Sequence, residues 1–190
     1  MDLIEKLTDR AGRRAMRKLE KEEDFVFLRK YELLQELSPS AFVYLYSRII
    51  PRRYKKNELV FKEGTPGICL FMVKKGRVEI FSQGENPEES SPKTVFTVIG
   101  EGAMFGELSL IAIPYRASSA RVLDHGAELL TLSVYDLNNL CEQFPRDGVK
   151  LMKSLTAIVA RHLTEVDRQL HAAREEIDQL KAKLEKLERA

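Results

Sequence analysis

FGELSLIAIPYRASS, residues 105–119, sets a tight run of Phe, Leu and Ile around two charges, Glu107 and Arg116. Neither charge can lie in an apolar core without partners. ELSLI has the composition of a short helix, and a helix beginning near Gly106 exposes backbone N–H groups that attract an anion. Glycine at that point allows close approach. Arg116, ten residues on, carries a planar fork of donors suited to phosphate. Glu107 repels phosphate but accepts hydrogen bonds from hydroxyls. One ligand with an anionic phosphate and a sugar hydroxyl satisfies the whole set, through charge-assisted bonds worth ~1.5–3 kcal/mol each. The alternative is that Glu107 and Arg116 pair with each other inside an empty structural roll.

The flanking sequence predicts what carries this stretch. NELVFKEG, ICLFMVKKGRVEIF, TVFTVIG, ASSARVLD and AELLTLS, all within residues 51–133, are short near-alternating runs cut by glycines and polar turns. Gly76 reads as a hairpin turn, and SQGENPEESSPK (82–93) as a polar loop. PRRYKK (51–56) reads as a solvated strand edge. Many short strands at close spacing imply an antiparallel β-roll or jelly roll; a parallel α/β sheet would need a helix after each strand. Residues 1–50 read as helical. Leu3, Leu7, Ala11 and Ala15 share one face, and LSPSAF opens a helix with Ser38 as N-cap and Pro39 in its first turn. The class is mainly β with flanking α, divided as a helical segment (1–37), a β-roll (38–145) and a C-terminal helix (146–190).

From Ser133, which caps SVYDLNNLCEQF, helical spacing returns. After Pro145, Leu163, Val166, Leu170, Ala173, Ile177, Leu180, Leu184 and Leu187 step by three and four, a sustained heptad seam. With Leu163 at position a, parallel partners pair His162 with Asp167, Gln169 with Arg174, Glu176 with Lys181 and Lys183 with Glu188. None is a like-charge clash, so the pattern predicts a parallel homodimer, though each exposed pair is worth only ~0.2–1 kcal/mol. A lone amphipathic helix folded back on the roll is the alternative.

Bulk properties narrow the class. The 190 residues are 44% hydrophobic, enough for a core, and the net charge is only +2. That balance gives nucleic-acid binding no support. Cys69 and Cys141 stand far apart without ligand spacing, the pattern of a reduced, cytoplasmic protein. MDLIEKLTDRAGRR places acids among its apolar residues, unlike a signal peptide, and no run approaches the ~20 apolar residues of a membrane span. GEGAMFG is one residue too long for a dinucleotide fingerprint. His125, His162 and His171 are scattered, so no metal site is expected.

FGELSLIAIPYRAS resembles the phosphate-binding cassette of the cyclic nucleotide-binding domain family, which runs Phe-Gly-Glu-Leu-Ala-Leu-Ile, a short spacer and Pro-Arg-Ala-Ala. VFKEGTPG, LFMVKKGRVEIF and LLTLSVYDLNNL extend the resemblance over about residues 38–165. It implies that Glu107 binds the ribose 2′-hydroxyl and Arg116 the exocyclic phosphate oxygens. Backbone N–H groups of Gly106, Leu108 and Ala117 would complete the cradle. Two departures stand out. Tyr115 replaces the proline before the arginine, and SSA follows Ala117, so that Ser118 or Ser119 is able to add a hydroxyl. Ala117, where binders of cyclic GMP in this family often carry threonine, leans toward cyclic AMP.

The resulting expectation is a non-enzymatic cyclic nucleotide sensor, without a cofactor, that dimerises through its C-terminal helix and signals to a partner protein. The alternative is a coiled-coil scaffold with a vestigial roll. The family's transcription regulators carry a helix-turn-helix domain after the dimer helix. Here the heptads run to the end of the sequence, so direct DNA binding is not expected. No nucleophile–base or carboxylate pair stands at useful spacing for an enzyme.

Overall fold

The computed structural model describes residues 3–82, 93–111, 114–123 and 125–188. The polar stretch expected as a loop at 82–93 therefore lies, but for its two ends, outside the described residues.

Four helices come first: α1 (Leu3–Leu19), α2 (Glu23–Leu28), α3 (Glu32–Gln35) and α4 (Pro39–Tyr46). Ser38 caps α4 as its sequence predicts, accepting from Ala41 N–H, with Pro39 in the first turn. Gly12 lets α1 cross tightly over the start of α4, for a Cβ there would stand 2.4 Å from Ser40 N. Phe25 stacks edge-on against both Phe42 and Tyr46, at 5.2 Å between centroids in each case.

Strands β1 (Ile50–Tyr54), β2 (Leu59–Phe61), β3 (Cys69–Lys75), β4 (Val78–Ser82), β5 (Thr94–Ile99), β6 (Met104–Phe105), β7 (Ser119–Val122) and β8 (Ala127–Ser133) follow, with one helical turn, α5 (Leu108–Ile111), after β6. Among the described residues they form two four-stranded sheets, in the orders β1-β8-β3-β6 and β2-β7-β4-β5. Every pairing is antiparallel. The two sheets enclose a core built on Phe71, Val73, Val78, Phe105, Val122 and Leu129. β3 and β8 are buried on both faces along most of their length, whereas β5 is largely exposed.

Two details differ from the sequence reading. β3 and β4 belong to different sheets, so Gly76 turns a corner between sheets and closes no hairpin. Its φ of +91° and the 2.4 Å that would separate a Cβ from Gly126 O both require glycine. β6 is only two residues long and is not among the runs the sequence marks as strands. PRRYKK does supply an edge strand, β1, paired on one side with β8, with Pro51 and two arginines along it.

Helix α6 (Val134–Gln143) starts at Ser133, which accepts from Asp136 N–H at 3.0 Å. Helix α7 (Pro145–Glu188) runs 44 residues. Its Asp147 is buried and accepts from both Ser38 N–H (2.8 Å) and Ser38 Oγ–H (2.7 Å). Gly148 brings α7 against Cys141 of α6. The chain divides into two units, residues 1–152 and 153–190. The second holds the remainder of α7, where Leu163, Val166, Leu170, Ile177, Leu180, Leu184 and Leu187 are all exposed. Among the described residues, no helix is long and apolar enough to cross a membrane.

Candidate functional site

The cassette lies in the first unit and is assembled from three chain segments. β6 ends at Phe105, Gly106 turns the chain with φ +76°, and α5 follows. Segment 114–116 leads into β7. The loop between β2 and β3 is zipped onto it by Gly64 N–H to Arg116 O (2.9 Å), Arg116 N–H to Thr65 O (2.8 Å) and Gly67 N–H to Pro114 O (2.8 Å). Pro66 and Tyr115 form the bridge between them. A proline at 115 would lack nothing this bridge needs at 116, so the exchange to tyrosine leaves the backbone pairing in place.

Arg116 is 6% exposed and Glu107 is 8% exposed, so both charges are inside the fold. The guanidinium does not turn to Glu107 for its hydrogen bonds. Nη1 donates to Gly106 O (3.1 Å) and Ser109 Oγ (2.9 Å), and Nη2 donates to Cys69 Sγ at 3.6 Å. Its Cζ lies 4.2 Å from the centroid of Phe61 and 5.4 Å from that of Phe71. Phe71 stacks on Phe105 at 5.1 Å, completing an aromatic wall. Burial pushes the guanidinium down from its ordinary value; the Cys69 thiol opposes this first, and the Glu107 charge acts after it.

A guanidinium has five N–H donors. Three are used in the bonds above, which leaves two. Nε–H is one of them, buried and without a partner among the described residues. The other is a proton on Nη2. A buried donor left in this way costs about 1–3 kcal/mol, so the arrangement is fitted to an added acceptor. The donor set, a cationic fork beside a buried carboxylate, suits a phosphate joined to a hydroxyl-bearing sugar.

The other expected residues cluster at the same place. Gly106 lies against the guanidinium, since a Cβ there would stand 2.5 Å from Arg116 Nη1. Leu108 opens α5 and is half-buried, Ala117 is exposed in the bend after Arg116, and Ser118 is half-buried beside it. Ser119 is buried in β7, and its hydroxyl accepts from Glu63 N–H at 3.0 Å. Sequence reasoning missed Gly67, Cys69 and Ser109. Ser109 did leave a signal, because it stands where the family cassette has alanine. Gly67 and Cys69 are far from the cassette in sequence and left none.

Residues 51–144 match the cyclic nucleotide-binding domain family. The chain is 28% identical over 138 residues to a CRP-like cAMP-activated global transcriptional regulator of Mycobacterium tuberculosis, covering 73% of this chain and 58% of that one. It is 29% identical over 138 residues to the cyclic AMP receptor protein of Thermus thermophilus, covering 73% and 60%. The crystal structure of Thermus thermophilus catabolite activator protein superposes with a TM-score of 0.60 at 28% identity, covering 73% of this chain and 61% of the other. The chain thus spans about three-fifths of the length of these relatives. Roll and cassette together are those of a regulatory domain family. Residues 51–144 belong to the cyclic nucleotide-binding domain family.

Proposed function

We propose that this chain is a non-enzymatic sensor that takes a cyclic nucleotide in its cassette, cyclic AMP in preference to cyclic GMP. The observation that carries the proposal is the buried Arg116 with Nε–H and one Nη2 proton left over. The exocyclic oxygens of a cyclic phosphate supply the missing acceptors. Glu107 takes the ribose 2′-hydroxyl. Backbone N–H groups of Gly106, Leu108 and Ala117, with the Ser118 hydroxyl, close around the phosphate. Ala117 favours the adenine nucleotide, as do the names of the cAMP-activated and cyclic AMP receptor relatives.

In the same proposal, residues 1–37, 38–145 and 146–190 act as helical segment, sensing roll and stem. The apolar stripe of α7 pairs with a second copy as a parallel coiled coil, and occupancy of the roll is passed through the stem to a protein partner in the cytoplasm. Such coupling is a population shift limited by the ligand's preference for one state. Nucleic acid is not a proposed partner.

Calorimetry with both nucleotides tests the proposal. Saturable heat is expected with cyclic AMP, weaker heat with cyclic GMP, and none with Arg116→Ala. No heat and no thermal shift from either at millimolar concentration would overturn it. A second reading draws on the three protein acceptors and two rings that Arg116 already has. In it the roll is a scaffold, and the protein is a stable dimer indifferent to nucleotides.

A further inference from the structure

We infer that Ser109 is a positioning residue for the anion-binding arginine, an inference that rests on the proposed cyclic nucleotide site. Its hydroxyl works in both directions. Oγ–H donates to Gly106 O at 2.8 Å, and the same oxygen accepts from Arg116 Nη1 at 2.9 Å. The hydroxyl proton is thereby fixed on the Gly106 carbonyl, and a lone pair is fixed on the guanidinium. With Gly106 O at 3.1 Å, both protons of Nη1 are occupied. Cys69 Sγ, at 3.6 Å, takes one proton of Nη2 weakly.

A guanidinium is planar, so holding Nη1 at two points fixes the orientation of the whole plane. The donors that remain belong to Nε and Nη2, adjacent nitrogens of the kind that grip two oxygens of one anion side-on. An alanine at 109 leaves Nη1 tethered to Gly106 O alone, and the side chain regains rotational freedom that binding must then remove. The fold makes room for this hydroxyl at some cost in tolerance. A Cβ on Gly67 would lie 2.3 Å from Ser109 Cβ and 2.6 Å from Ser109 Oγ. Gly67 is what allows a serine to reach the arginine from α5.

The experiment compares wild type with Ser109→Ala by calorimetry with cyclic AMP, and by nitrogen-15 spectra of the arginine side chains, with the Arg116 signals identified by their loss in Arg116→Lys. Thermal melting checks that each variant is folded. Ser109→Ala is expected to bind cyclic AMP roughly tenfold more weakly, the value of one charge-assisted hydrogen bond. Its Arg116 Nη1 and Nη2 signals, resolved in wild type by restricted rotation, are expected to merge. Binding of Ser109→Ala within twofold of wild type would overturn the inference while leaving the proposed function standing. Weaker binding with the Nη signals still resolved would also overturn it, since a serine that merely supports the fold acts without freeing the guanidinium. If wild type itself binds no nucleotide, the proposed function fails, and the spectra still decide whether Ser109 holds the arginine.

Discussion

Arg116 is a buried cation with more donors than the described residues supply acceptors, and its energetics follow from that imbalance. Replacing a whole buried pair of opposite charges by apolar groups is often neutral or stabilising, whereas removing one member leaves the other uncompensated, here the buried Glu107 carboxylate. Arg116→Leu is therefore expected to weaken cyclic AMP binding more than 100-fold, roughly two lost charge-assisted bonds, and the thermal midpoint is expected to hold when Glu107→Leu accompanies it. Calorimetry and melting curves check the two halves separately, and a midpoint lowered by many degrees would show that the guanidinium is a structural keystone instead. Gly67→Ala has a different expected outcome. Its new Cβ meets Ser109 Cβ, next to the backbone of α5, so both stability and binding fall, stability by about 1–3 kcal/mol. The two charges of the cassette were legible from residue chemistry, because an apolar run cannot hold them without purpose. The contacts of Gly67 and Cys69 with that cassette were not, because only the folded loops bring them to residue 116.

At the scale of elements, helix caps and alternating strands were readable wherever local chemistry governs. Ser38 with Pro39, and Ser133, announced two helices, whereas β3 and β8 are buried on both faces along most of their length and show no strict alternation of burial. Two-residue β6 fell below any periodic signal. Gly76 looked like a hairpin because sequence distinguishes poorly between a turn within one sheet and a corner between two. The stripe on α7 supports its own prediction. Leu170 and Ile177 stand at successive a positions and are about half exposed, at 47% and 49%. Leu170→Glu combined with Ile177→Glu is expected to turn a dimer into a monomer by light scattering, with the melting of the roll unchanged. An undiminished dimer would place the interface elsewhere.

Across the whole molecule, Tyr31 joins the N-terminal helices to the approach of the cassette, its hydroxyl donating to Ala103 O at 2.6 Å. Burial raises its pKa above the ordinary 10.0, so the folded state favours the neutral phenol. The stabilisation is complete below that ordinary value and is lost as pH rises beyond it, because the unfolded chain ionises first. Tyr46 and Tyr54 shift the same way, both chiefly through burial. Denaturation followed from pH 8 upward is expected to show stability falling above about pH 10. Tyr31→Phe is expected to cost about 1 kcal/mol at pH 8 and to flatten, without abolishing, the alkaline decline. An equally steep decline in that variant would exclude Tyr31 as a contributor.

One carboxylate near the start of the long helix receives both polar hydrogens of residue 38, so two distant points of the chain share a single clasp. Were Asp147 to swing away, Ser38 N–H would lose its acceptor and meet solvent. Hydrogen exchange at that one amide would therefore act as a built-in gauge of whether the clasp is shut or sprung, readable without any label on the stem itself.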